Sequence, residues 1–368
     1  MKIFLLFLLF ILSSPTNVLA AARIPTLDEF VARPPIHIQS KEKSAPFGLS
    51  PSQIKRIYHL PDSGGQGTIA IVDAYDYPTA EYDLNVFSQQ FNLPECTQAN
   101  KCFEQVLMTS DTKSDSGWAG EAALDIEWAH AIAPQSKILL VEAKTASGKN
   151  LLAAVDYARK RDDVVAISLS WGGPEFPQIT NLGDHFTSPT GKATFFASSG
   201  DNGTGVEWPA VSPNVVAVGG TSLSLASNKS LKTESAWRGS GGGLSKYVTQ
   251  PDYQKSFGIP KSKTFRAVPD VSYNADPKSG YSVYISTGQK GWMQVGGTSA
   301  GAPQWAAIQA LGLSANNSNF YRDAKQQDHK KFFRDINKGL NGLCLFFCQA
   351  KTKYDYVTGL GSPQTISF

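Results

Sequence analysis

Val164-Val-Ala-Ile-Ser-Leu169 is an apolar, β-branched run that stops abruptly at Ser170-Trp-Gly-Gly173. Its side chains are apolar almost without alternation, the pattern of a strand covered on both faces. Runs of the same kind recur on either side: Thr68-Ile-Ala-Ile-Val-Asp73, Lys137-Ile-Leu-Leu-Val-Glu142, Ala193-Thr-Phe-Phe-Ala-Ser198 and Val215-Val-Ala-Val218. Helix-like segments at about 79–91, 119–133 and 150–160 lie between them, and another follows at about 301–314. Continuous apolar strands joined by helices predict an α/β domain, a doubly wound, mostly parallel sheet with helices on both faces. The domain is read as spanning 45–368, without an internal repeat.

Ahead of the domain, Met1 and Lys2 precede the apolar run Ile3–Leu12, and the small residues Val18 and Ala20 stand just before an expected cut. Such a run is too short to span a bilayer and has the pattern of a secretory signal peptide over residues 1–20. A short polar and proline-containing arm, residues 21–44, follows. The mature chain is therefore expected to be secreted or periplasmic, soluble and monomeric, with no membrane partner. At 41% hydrophobic and 18% charged residues, its composition is globular rather than disordered. Without Lys2, 33 basic residues face 31 acidic ones, a balance that gives no reason to expect nucleic acid. Four cysteines form two close pairs, Cys96 with Cys102 and Cys344 with Cys348. In an oxidising compartment two local disulfides are expected; a zinc site of four thiolates is the competing reading, and neither pair has the spacing of a zinc knuckle.

Ligands of such sheets sit beyond the carboxyl ends of the strands. Those ends point to Asp73, Ser170–Gly173, Ser199-Gly-Asp-Asn-Gly203 and the turn Val295-Gly-Gly-Thr-Ser-Ala-Gly-Ala-Pro303. The last of these delivers Ser299 to the start of an apolar helix, where glycines permit close approach and helix amides favour developing negative charge. An acyl-transfer nucleophile needs both; ordinary helix capping is the alternative.

The segment Gly117–Pro134 is apolar nearly all round, yet it carries Glu121 and Asp125 four residues apart on one face. Two buried carboxylates cannot cheaply both ionise, so a shared proton and a base of tuned pKa are expected. A solvated surface pair is the bland alternative. Glu127 lies on another face and takes no role. The histidines are His37, His59, His130, His185 and His329, none of them in a His-Gly-Thr context; His130 is read as packed or partly exposed. Asp201 follows a buried strand on a glycine turn and could donate to an oxyanion only when protonated, which points to acid working conditions. A plain β-turn is the competing reading there.

Together, Glu121-x-x-x-Asp125 with Ala133-Pro134, Ser199-Gly-Asp-x-Gly203 and Gly297-Thr-Ser-x-x-x-Pro303 resemble the sedolisin, or serine-carboxyl peptidase, family. Trp237 with Ser240-Gly-Gly-Gly-Leu-Ser245, and Arg266–Pro277 with Gly280-Tyr281, are similar to it too. The resemblance implies a subtilisin-like fold and peptide-bond hydrolysis through an acyl-enzyme. It assigns Ser299 as nucleophile, Glu121 as general base, Asp125 as the residue that orients and shares a proton with that base, and Asp201 as oxyanion donor beside the Ser299 amide. Asp73 and Trp171 resemble positions that extend the carboxylate network in some members, although a strand-end turn is an equal reading of Asp73. One structural calcium ion is implied as well, held by Asp335, the Ile336 carbonyl, Lys351, Lys353 and Asp355; lysines stand where the family usually has glycines. Most members carry a large folded prosegment, where this sequence has the 21–44 arm. The expectation is an exported, acid-acting endopeptidase of polypeptides. Its rivals are a tripeptidyl exopeptidase and a catalytically silent peptide-binding relative.

Overall fold

The structure, a computed structural model, describes residues 26–39, 43–288, 291–326 and 329–364. The signal peptide expected at 1–20 lies outside them. The core elements are β1 (Thr68–Ala74), α1 (Ala80–Gln90), β2 (Phe103–Leu107), α2 (Ser116–Ile132), β3 (Lys137–Ala143), α3 (Gly148–Arg159), β4 (Val164–Leu169), β5 (Thr194–Ser198) and β6 (Val215–Leu225). After them come β7 (Leu231–Ala236), β8 (Val271–Asn274), β9 (Tyr281–Ile285), β10 (Gly291–Gly296) and α4 (Gly301–Ala310).

The sheet order is β7-β6-β5-β4-β1-β3-β2, with β8 also paired to β6. Every pairing in it is parallel except β7 with β6. The sheet is thus the α/β arrangement that the apolar runs predict. Alternation along each strand explains why those runs are continuous: Ile69, Ile71, Ile138 and Leu140 face one apolar layer, while Ala70, Val72, Leu139 and Val141 face the other. Helices α1, α2 and α4 cover the first face; α3 covers the second.

Strand β6 runs past the predicted Val218 to Leu225, because Gly219 and Gly220 carry it into an antiparallel pairing with β7 that the local pattern does not reveal. Edge strand β2, half exposed, has no apolar run to announce it. Helix α2 starts three residues earlier than predicted, where the Asp115 carboxylate accepts from the amides of Gly117 and Trp118 at 2.9 and 3.0 Å. Helix α4 stops earlier than predicted, just ahead of Gly312, whose φ of 98° leaves the helical range. Cys96–Cys102 and Cys344–Cys348 are disulfides, and no free cysteine remains. Among the described residues no helix is long and apolar enough to cross a membrane.

One buried ion pair ties β6 to the loops behind it. Arg266 and Asp270 are both fully buried and meet twice, at 2.7 and 3.0 Å. Asp270 also accepts from the Ala217 amide at 2.8 Å and the Tyr321 hydroxyl at 2.9 Å. Removing one partner leaves the other charge uncompensated, so Asp270→Ala is expected to cost about 3–5 kcal/mol. Urea unfolding of the variant at neutral pH measures this; a loss below about 1 kcal/mol, the range of a surface pair, contradicts it.

Candidate active site

Helix α2 is buried from Trp118 through Ile132, so its polar side chains have no route to solvent. Glu121 and Asp125 are fully buried, and neither carboxylate has an aligned hydrogen-bond partner among the described residues. Burial raises the Glu121 carboxyl well above its ordinary range; the charges of Asp125, Asp73 and Asp201 push the same way, and the Ser299 hydroxyl opposes them. Asp125 is raised for the same first reason, burial, reinforced by Asp73 and opposed by the Ser170 hydroxyl and by Glu121. The surface-pair reading of these two carboxyls fails on their burial.

Asp73, at the carboxyl end of β1, belongs to the same cluster. It is fully buried without a hydrogen-bond partner, and its carboxyl is raised by burial and by Glu142, its register partner on β3. A strand-end turn would require hydrogen bonds that Asp73 does not make. Glu142 is pushed up to about 7 by burial while accepting from the Tyr77 amide and from Gln105. Trp171 is buried nearby, but its indole N–H donates to the Val72 carbonyl at 2.9 Å, so it braces β1 instead of bonding a carboxylate.

Ser299 sits in the short turn between β10 and α4, entered through Gly297 at φ 130°. It too is fully buried, and its Oγ donates to the Pro35 carbonyl at 2.8 Å. A Cβ on Gly297 would lie 1.9 Å from that carbonyl oxygen, so glycine is required for a peptide to come so near. Asp201, after β5, accepts from the Thr298 amide at 2.8 Å and the Thr298 hydroxyl at 2.7 Å. Its other oxygen lies 3.0 Å from His37 Nε2, an ion-pair contact that is not aligned as a hydrogen bond. Burial raises the Asp201 carboxyl, and His37 and Thr298 oppose the rise.

The structure therefore gathers Ser299, Glu121, Asp125, Asp73 and Asp201 at one end of the sheet. His130 is wholly packed, bonded to the Pro94 carbonyl and lowered to about 4, mainly by burial. Glu127 is bound by the Tyr284 amide and faces away from the cluster's chemistry. Sequence reasoning missed three residues of the cleft: Pro35, His37 and Glu207. Glu207 stands beside Asn202 under Gly172 and Gly200, pushed up to about 7 by burial. These residues line a cleft of about 460 Å³ between Gly172–Pro174 and Asp201–Asn202. Pro34-Pro35 was the one local signal, an extended dipeptide, with nothing to say what it lies against.

The loop read as a calcium site comes together, with both Asp355 oxygens and one Asp335 oxygen accepting hydrogen bonds. Asp355 accepts from the amides of Val357 and Thr358 on one oxygen, and from the Lys351 amide and the Thr358 hydroxyl on the other. Those four bonds use the whole accepting capacity of a carboxylate. Asp335 accepts from the Lys353 amide, and Lys353 adopts φ 68°, a conformation that suits glycine. Calcium takes six to eight oxygen ligands, and an ion here would have to compete with those four donors for Asp355.

A buried serine at a helix start, a buried carboxyl pair beside it and an aspartate on a neighbouring turn stand together at one end of a mostly parallel α/β sheet. The profile of the subtilase family matches residues 113–332. Kumamolisin of Bacillus sp. (strain MN-32) is 32% identical over 366 residues, covering 88% of this chain and 63% of its own. Tripeptidyl-peptidase 1 of Dictyostelium discoideum is 29% identical, covering 66% of this chain and 45% of its own. The crystal structure of Pseudomonas sedolisin, a serine-carboxyl proteinase complexed with pseudo-iodotyrostatin, superimposes with a TM-score of 0.74 at 25% identity, covering 87% of this chain and 96% of that one. The chain belongs to the subtilase family and, within it, to the sedolisins. It spans about three fifths of the length of the curated relatives it first matches.

The raised carboxyls make stability depend on pH in a stated direction. In the unfolded chain they lose their protons near pH 4. In the folded protein Glu142, Glu207 and Asp355 hold theirs to about 7, and Glu121, Asp125 and Asp73 are raised with them. The native state thus binds more protons between about pH 4 and 7, and stability falls as pH rises through that window. Melting temperature is expected to be higher at pH 4.5 than at pH 7, and Asp73→Asn should raise it at pH 7 while changing it little at pH 4. A melt that is flat or rises across the window contradicts the burial of these carboxyls.

Proposed function

We propose that this protein is an exported, acid-acting serine-carboxyl endopeptidase. The observation that carries the reading is the peptide already in the cleft: an extended stretch of the protein's own chain places a carbonyl 2.8 Å from Ser299 Oγ, beside the buried Glu121–Asp125 pair. In the proposed reaction Ser299 Oγ attacks the carbonyl carbon of a polypeptide and passes its proton to Glu121, while Asp125 shares a proton with that base. Protonated Asp201 and the Ser299 amide stabilise the oxyanion. Glu121 then returns the proton to the leaving amine, and water releases the acyl group by the same steps. Export is supported by the apolar leader Ile3–Leu12 and the two disulfides.

Endopeptidase action is supported by the run of the cleft. Upstream of Pro35 the bound segment continues past Arg33 and Ala32 to Phe30, whose ring packs against Phe176 and Trp208. A tripeptidyl enzyme must stop its substrate after three residues. The relatives named tripeptidyl-peptidases keep that rival in view, and an amino-terminally acetylated peptide separates the two, since only an endopeptidase cuts its interior.

Ser299→Ala is expected to abolish turnover and covalent labelling by a peptide aldehyde while leaving the melting temperature near that of the parent. The pH–rate profile should be a bell on the acid side: Asp201 donates only when protonated, and Glu121 accepts only when ionised. Asp201→Asn, which keeps a donor, should retain more activity than Asp201→Ala, expected to lose roughly a hundredfold or more. Peak activity at pH 8, or a folded Ser299→Ala variant that still cuts, refutes the assignment.

For the calcium loop, an ion would have to displace amide donors from Asp355. Chelation is therefore expected to leave the melting temperature unchanged, and Asp355→Ala to lower it by about 2–4 °C through lost hydrogen bonds. A large drop on chelation that calcium reverses would show that the loop rearranges around an ion.

A further inference from the structure

Leu343 is 92% exposed and Leu345 77%, on a loop that is otherwise firmly held. The Cys344–Cys348 disulfide closes it, Asn341 donates to the Cys348 carbonyl at 3.1 Å, and Ala350 donates to the Gly339 carbonyl at 3.1 Å. The base of the loop packs on the turn after Asp201. There Thr204 donates to the Asn341 carbonyl at 3.1 Å, and the Asn341 side-chain amide donates to the Ser240 carbonyl at 2.7 Å. Leu345 holds φ at 54°, in the left-handed region that a bulky residue rarely enters. Two leucines left in water forgo the burial each could gain, and backbone strain of this kind collects where a surface has a task.

Behind the tip the polarity changes in a definite order. Phe346 and Phe347 are half-buried, 5.6 Å apart, with Phe347 5.0 Å from Tyr356. Lys261 Nζ lies 4.1 Å from the centre of the Phe346 ring and Lys351 Nζ 5.2 Å from it. Lys263, Lys338, Lys353 and Arg238 are exposed on the segments that flank the loop. No acidic residue occurs from Ile336 to Tyr354 or from Tyr253 to Pro269. Asp355 is buried, and an Asp335 oxygen is taken by the Lys353 amide. An aliphatic tip, then aromatic rings, then a collar of cations follows the order of polarity at the boundary of an anionic bilayer. The backbone at its base is already paired, Leu340 with Gln349, so the loop offers side chains to a partner and not an open strand edge.

We propose that the loop at residues 343–347 docks the protein peripherally on anionic membrane surfaces, the two leucines entering the headgroup boundary and the lysines meeting lipid phosphates. Peripheral docking requires no spanning helix and leaves the chain soluble. It differs in this from the expectation of no membrane partner, which rests on the lack of a spanning segment. The docking itself does not depend on the peptidase reading. Where that reading holds, the contact of the loop with the Asp201 turn brings the cleft close to the bilayer, and polypeptides held at that surface are the substrates favoured.

The test is cosedimentation of the full mature chain with vesicles of phosphatidylglycerol and phosphatidylcholine in equal parts, against vesicles of phosphatidylcholine alone. At low salt the anionic vesicles should bind the parent about tenfold or more tightly than the neutral ones, the scale of a few lysines at such a surface. Salt at about 0.5 M should release it by screening the lysines. Leu343→Ser combined with Leu345→Ser should weaken binding about tenfold or more, the scale of one buried leucine. That variant should melt like the parent and cut a short soluble peptide at the parent's rate. Lys261→Glu should weaken binding to the anionic vesicles and not to the neutral ones. A parent that stays in the supernatant, that binds both vesicles equally, or that the paired serine substitutions leave fully bound overturns the docking. If those substitutions instead raise KM for a long polypeptide in solution and leave vesicle binding unchanged, the loop is a substrate exosite and the bilayer proposal falls. Vesicle binding by a protein that cuts no peptide keeps the docking and refutes the peptidase reading.

Discussion

A carboxyl group stripped of water must find a counter-charge, hydrogen-bond donors or a proton. Glu121, Asp125 and Asp73 find neither cations nor aligned donors among the described residues, so their affinity for protons is raised, and the rest of the site is arranged around that fact. Helix α2 must be buried on every side to impose it, which requires cover from α1, α4 and β9 at once. The sheet must present β1 and β4 side by side so that Asp73 and Ser170 arrive beside the helix. What would be a defect in an ordinary core gives this one a base whose affinity for protons is set by its surroundings.

Asp201 is treated differently from the other carboxyls. It has two donors from Thr298 and, 3.0 Å away, the ring of His37, an ion-pair partner when protonated, and it lines the cleft. Its protonation can therefore answer to the solution and to whatever occupies the cleft, whereas that of Glu121 answers chiefly to the interior. Two carboxyl environments of opposite character, a few residues from one serine, allow one group to accept a proton while another supplies a hydrogen bond.

Much of this was legible along the chain. Strand positions followed from unbroken apolar runs, because a strand covered on both faces has no polar side to hide. The Glu121–Asp125 spacing told of one helical face, and an apolar helix around them told of burial. The strands that went unread, β2, β7, β8 and the hairpin of β9 and β10, are short or half-exposed, and what holds them is pairing with partners that no local pattern records.

The sequence by itself determined the order of strands and helices, the turn that carries Ser299 and the residue types at the site, since periodicity, glycine placement and charge spacing are local properties. Only the tertiary structure decided what lies across the nucleophile. Pro35 and Ser299 are 264 positions apart, hydrogen-bonded partners that nothing in either segment predicts. His37, read without a role, comes 3.0 Å from Asp201, and the loop near Asp355 closes on its own amides where the motif implies an ion. These are outcomes of which surfaces meet when the chain closes on itself, and a contact of that kind depends on the whole fold and not on the neighbours in sequence.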